Sequence, residues 1–211
     1  MRKLLTVTAG ACAVVLMAAP VAADEEEDQA IADESVLTLA DLPEGWVEGD
    51  AADDDDPAEG EIPACEAIER TIDRGDEAPH AESPDFDDTN DPNAVTSVSN
   101  EVIVFPKAKG AKRYLKPFET DGEACLRGRG GTAPGALDVQ VQELDVQGSG
   151  VGYTVLVTVE SNGEQRTQAV DIVVVRVGRA ITNFAAENVD EPLPEGPDIL
   201  DAVLGRLQES L

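Results

Sequence analysis

The run VGYTVLVTVESNGEQRTQAVDIVVVRV, residues 151–177, constrains this chain more than any other stretch. Two β-branched segments flank Asn162-Gly163, the dipeptide that suits a two-residue type I′ hairpin because both positions accept positive φ. With Ser161 opposite Glu164, Val155 falls opposite Val170, Tyr153 opposite Ile172 and Val151 opposite Val174. Apolar side chains then meet on one face, as a half-buried antiparallel pair requires. The chain must therefore build an antiparallel sheet, and its other segments must cover it.

The covering segments are readable by period. VTSVSNEVIVF is β-branched and predicts a strand. KAKGAKRYLKPF places Ala108, Ala111, Leu115 and Phe118 on one helical face, with Pro117 expected to stop or kink that helix near its end. CLRGRGGTAPG reads as a glycine-rich loop, after which Val139, Val141 and Leu144 resume an alternation. Gly178 interrupts the second hairpin arm, and RAITNFAA returns as a further strand or continues the arm past a bulge. GPDILDAVLGRLQESL opens with Pro197 and stripes Leu200, Val203, Leu204, Leu207 and Leu211 along one side of a docking helix. PACEAIERTIDR reads as a short helix with Pro63 at its start, and VLTLADLPEGW as an apolar run ending in a turn and the single tryptophan, Trp46. The fold class is α+β: an antiparallel sheet of about five strands flanked by helices.

The N-terminus has the form of an export signal. MRK is basic, LLTVTAGACAVVLMAAP is apolar, and VAA sets small side chains before a cleavage after Ala23. The 20 residues from Leu4 to Ala23 are also long enough for an uncleaved N-terminal anchor, which is the alternative. Cys12 lies within the apolar run rather than at its end, which argues against a lipid anchor. Cleavage leaves a secreted, extracytoplasmic chain with no further membrane span and two cysteines, Cys65 and Cys125. In an oxidising compartment such a pair reads as one disulfide, the alternative being two buried thiols.

Charge is distributed unevenly in a chain with a formal net charge of −29. Residues 24–95 hold 27 acidic residues against two arginines, and residues 96–211 hold 17 against 11 basic residues. Composition therefore predicts a disordered acidic tract at 24–35, a folded domain over 36–211, and mobile acidic loops within it at about 50–62 and 75–94.

Most catalytic chemistries find no support. His80 is the one histidine, inside an acidic, proline-rich tract that would hold a catalytic base poorly. Paired carboxylates for hydrolysis are available anywhere among 44 acidic residues, so pairs alone indicate nothing. DFDDTND, Asp85 to Asp91, has alternating oxygens but lacks the glycine and the terminal glutamate of a calcium loop. Asp53 to Asp56 would gather divalent ions only as a diffuse charge cloud. GRGG lacks the spacing of a phosphate loop, and the net charge disfavours nucleic acid. No catalytic residue, metal site or cofactor is expected.

Seven of the 13 basic residues beyond the signal lie between 107 and 129: Lys107, Lys109, Lys112, Arg113, Lys116, Arg127 and Arg129. They form either the wet side of a helix, or an internal counter-charge to the acidic half, or a site for an anionic ligand.

DLPEGW, a cysteine before a helix, VIVFPKAKGAKRYLKPF with a second cysteine, VGYTV, DIVVVRVGRAIT and ILDAVLGRL together resemble the actinobacterial PknH-type extracellular sensor domains and LpqN-type exported proteins. The resemblance covers about residues 36–211 and rests on strand and turn patterns. It implies an antiparallel sheet flanked by helices and a non-enzymatic binding role outside the cell, for an unidentified envelope ligand or protein. The chain departs from the kinase-linked domains in having cysteines for one disulfide where they have two. The alternatives are an acidic surface spacer or interaction protein with loose calcium binding, and a carboxylate hydrolase.

Overall fold

Five β-branched runs become the long strands of one sheet. A computed structural model describes residues 21–49, 62–90, 96–161 and 163–211. The long strands are β4 (Ser97–Val104), β5 (Ala136–Leu144), β6 (Ser149–Ser161), β7 (Glu164–Val177) and β8 (Ala180–Val189). Three short ones, β1 (Trp46–Glu48), β2 (His80–Glu82) and β3 (Phe86–Asp88), bring the sheet to eight strands rather than about five. The order is β1-β3-β4-β8-β7-β6-β5, with β2 paired to β4 beside β3. All pairings are antiparallel. Three-residue strands carry too little alternation to be read as strands, so the count from periodicity falls short.

The central register is the expected one: Ser161 faces Glu164, Val155 faces Val170, Tyr153 faces Ile172 and Val151 faces Val174. Gly163 takes φ +82, while Asn162, the other half of the turn dipeptide, lies outside the described residues. A tight turn at Gly178, φ +56, then reverses β7 into β8.

Alternation sends successive side chains to opposite faces, and each face has its own cover. On one face, α4 (Gly196–Ser210) seats Ile199 and Val203 against Val98, Val173, Val175, Phe184 and Ala186, and Leu37, Trp46 and Phe86 complete this core. Beside it, α1 (Val21–Ser35) packs Ile31 and Ala32 with Val102, Val104, Ala180 and Leu207. On the other face, α3 (Ala108–Thr132) lays Ala111, Tyr114 and Leu115 on Ile103, Val151, Tyr153, Val174 and Ile181. The buried side of α4 is Ile199, Val203 and Leu207, with Leu200 and Leu204 at its flank and Leu211 largely exposed. The stripe anticipated from sequence is thus rotated by about one residue.

The acidic segments need correction. Residues 24–35 are helical in α1 rather than disordered. Composition misleads because Ile31 and Ala32 suffice once β4 and α4 offer a surface, and because the buried Asp28 carboxylate meets Arg179 at 2.6 Å. Within the expected loop at 75–94, β2 and β3 are ordered by pairing with β4, and Phe86 is almost wholly buried. Of the expected loop at 50–62, only Ile62 is described; it packs beside the disulfide.

Helix α3 runs 25 residues, through Pro117 and through the glycine-rich stretch read as a loop. The carbonyl left without its usual donor by Pro117 belongs to Arg113, on the solvent side, where water can serve it. Two of the helix's glycines are explained by its closeness to the sheet. A Cβ on Gly122 would stand 2.7 Å from the Tyr153 ring, and one on Gly130 would stand 2.8 Å from Val139. Cys65 bonds to Cys125, their Cα atoms 4.7 Å apart, tying α2 (Glu66–Gly75) to α3 around Ile68 and Phe118. No helix among the described residues is long and apolar enough to cross a membrane.

Candidate binding site

The basic stretch becomes the outer side of the first turns of α3. Lys107 occupies the N-cap in extended conformation, and Lys109, Lys112, Arg113 and Lys116 are exposed while Ala111, Tyr114 and Leu115 face the sheet. The first turn holds no acidic residue, so the helix dipole and the side chains add positive potential at the same end. Lys116 meets Glu119 at 3.5 Å. Among the described residues no carboxylate pairs with Lys107, Lys109, Lys112 or Arg113.

Arg127 and Arg129 do not join that group. Arg127 lies roughly 16 Å along the axis from Lys116 by helical rise. It pairs with Glu123 at 2.8 Å and reaches the Val139 carbonyl at 3.4 Å. Arg129 crosses to α2 and pairs with Glu69 at 3.0 Å. The five from 107 to 116 share one surface, and the two arginines belong to the other end of α3.

That other end borders a cavity. Between α2, α3 and the sheet lies an apolar pocket of about 220 Å³, walled by Ile68, Ile72, Phe118, Leu126, Val151 and Val174, with Arg129 also lining it. Ile172 lines both this pocket and a larger cleft of about 510 Å³ on the same sheet face. The larger cleft is polar: Ser99 and Glu101 from β4, Asn183 from β8, and the segment Glu82–Asp85. One side of the molecule thus offers an apolar recess and a hydrogen-bonding cleft that share Ile172 as a lining residue.

Inside the cleft, Asn183 Nδ2 donates to Glu101 Oε2 at 2.6 Å and to the Tyr114 hydroxyl at 2.8 Å. Asn183 Oδ1 is buried without a hydrogen-bond partner among the described residues. Burial pushes the Glu101 carboxyl above its ordinary value, with the charges of Glu82 and Asp76 adding to it and the Asn183 bond and His80 opposing. Burial likewise raises the Tyr114 hydroxyl, helped by the Glu101 charge, so it stays protonated. Glu82 and Glu101 are directly opposed across β2 and β4. Their side chains rise side by side from one sheet face.

Sequence reading missed Glu101, Tyr114 and Asn183. The available signal was polarity out of place: VSNEVIVF and AITNFAA each interrupt an apolar strand with a polar residue. His80 is held in β2, its Nδ1 2.9 Å from the Ala78 carbonyl. Within Asp85–Asp91, Asp88 accepts both the backbone N–H and the amide of Asn90, and Asp91 lies outside the described residues, as do Asp53–Asp56. No three His, Cys, Asp or Glu side chains among the described residues converge as a metal would need.

No protein-family model matches this chain. No curated protein matches it either. Among solved structures, it is similar to the extracellular domain of PknH from Mycobacterium tuberculosis, with 12% identity and a TM-score of 0.47, covering 88% of this chain and 96% of that one. It is also similar to LpqN of Mycobacterium tuberculosis, a protein involved in cell envelope biogenesis, with 14% identity and a TM-score of 0.36, covering 82% and 79%. These are the two kinds of protein that the sequence resembles.

Proposed function

We propose that this chain is an exported, non-catalytic binding domain of the cell envelope that takes an anionic amphiphile. The observation that carries the reading is the apolar pocket between α2 and α3, with the cation of Arg129 in its lining and a cleft of hydrogen-bonding groups on the far side of Ile172. At about 220 Å³ the pocket lies below the roughly 300–1,000 Å³ of a site that swallows a whole ligand. It suits a chain whose head stays outside. Arg129, exposed at the rim and paired among the described residues with the exposed Glu69, supplies the cation for that head. The signal-like pattern of the N-terminal sequence supports an extracytoplasmic location.

A second locus has its own support. Lys107, Lys109, Lys112 and Arg113 stand without described acidic partners on a strongly anionic chain, at a helix end free of acidic residues. That arrangement favours docking of an anionic polymer or lipid surface on α3.

The test is a thermal-shift titration of the oxidised protein, residues 24–211, with dodecyl phosphate and with dodecanol. Dodecyl phosphate should raise the melting temperature of the wild type. The shift should shrink in Arg129→Gln and vanish in Leu126→Trp, which fills the pocket. A loss confined to the Lys112→Gln/Arg113→Gln/Lys116→Gln variant would move the anion site to the start of α3. Equal shifts in all variants would overturn both loci.

A further inference from the structure

The opposite face of the sheet carries a second cavity, of about 240 Å³, between the N-terminal half of α4 and the turn joining β5 to β6. Val146, Val173, Phe184, Leu193, Leu200 and Leu204 make its walls apolar. Its charged lining is one-sided: Asp145, Asp171 and Asp201, with no basic residue.

Asp171 decides what such a cavity can hold. It is the one charge in the otherwise apolar run from Ala169 to Val175, and only 8% of its surface is exposed. Thr154, its cross-strand neighbour, donates to Oδ1 at 2.5 Å. Among the described residues Oδ2 has no donor and no cation lies beside it. A buried carboxylate without a counter-charge is costly, and an apolar side chain at this position would pack more cheaply. Burial holds the Asp171 carboxyl above its ordinary value, partly offset by the Thr154 bond. The rim also includes the start of α4, an end that attracts anions, but Pro197 there has no N–H and Asp198 in the first turn answers the dipole. Among the described residues no Lys, Arg or His lines the cavity, and Gln147 supplies only a neutral amide.

We infer that this cavity is a separate site for a cationic amphiphile, an alkylammonium whose chain lies against α4 and whose nitrogen meets Asp171. Asp145 and Asp201 at the lining strengthen the attraction for a cation and repel a carboxylate or phosphate. The site shares no residue with the pocket between α2 and α3. The two can therefore fail independently.

The experiment is calorimetric titration of the oxidised protein, residues 24–211, with n-octylammonium, n-octanol and octanoate. Octylammonium should bind with one saturable site, about tenfold or more tighter than octanol, and octanoate should not bind there. Asp171→Asn keeps the shape and the Thr154 bond, and should lose that preference while still melting cooperatively. Leu200→Trp should fill the cavity and abolish the saturable binding of octylammonium. Glu164→Gln removes a remote exposed charge and should change nothing. Equal binding of octylammonium and octanol by the wild type, full retention in Asp171→Asn or Leu200→Trp, or an equal loss in Glu164→Gln would overturn the inference.

Discussion

Glu101 shows how a single residue can register both position and pH. Its folded-state carboxyl is raised by burial, so the folded protein favours the protonated form. The associated stability is fully present below the ordinary value of 4.5 and is lost as pH rises through the raised one. Asp171 and Glu187 are raised by burial in the same direction. Asp41 runs the other way: burial raises it, but hydrogen bonds from Arg206 and Thr38 outweigh that and hold it below 3.8. Its contribution is present above 3.8 and is lost on further acidification. The melting temperature should therefore rise as pH falls from neutral towards 4.5, then drop below 3.8. Glu101→Gln should melt higher than the wild type at pH 7 and lose that advantage near pH 4, as melts across this range will test. Sequence alone could not mark Glu101, because the burial of an acidic residue in a strand depends on what crosses that face.

At the scale of elements, α3 is where local preference and tertiary packing conflict most openly. Its glycines weaken the helix, and by composition its C-terminal third reads as a loop. Two of them have a packing reason: Gly122 and Gly130 lie against Tyr153 and Val139 with no room for a methyl group. Gly122→Ala should therefore cost about 1–3 kcal/mol by overpacking, despite the better helix propensity of alanine. Gly131→Ala, with open space around it, should stabilise by about 0.5–1 kcal/mol. Urea unfolding of the two variants separates these effects, and equal signs would refute the packing account. The hairpin of β6 and β7 is the opposite case. There the turn dipeptide, β-branching and alternation agree, so even the register was legible.

At the scale of the whole molecule, long-range ties hold together a chain that its own charge drives apart. The Cys65–Cys125 bond spans 60 residues and fastens the acidic N-terminal half to α3. Closing a loop of that length is worth about 4 kcal/mol against the unfolded chain. Reduction should lower the denaturation midpoint by a corresponding amount. Added salt should recover part of the loss by screening repulsion within the chain of net charge −29. Urea unfolding with and without reductant, at low and high salt, measures both; an unchanged midpoint on reduction would exclude a stabilising role for the bond.

The α+β class, the central hairpin and its register, the terminal helix and the location of the basic face are legible along the chain. Each is written in neighbouring residues as a period, a turn dipeptide or a run of charge. Packing between distant segments makes residues 24–35 a helix, makes His80–Glu82 and Phe86–Asp88 strands, and lets the glycine-rich run continue α3. In each case the stabilising partner lies far along the chain: β4 and α4 for the N-terminal helix, β4 for the two strands, Tyr153 and Val139 for the glycines. The same holds for the two cavities. Their walls come from four or more separate segments, and the groups that give them chemical character, Arg129 and Asp171, acquire it from neighbours that only folding brings together.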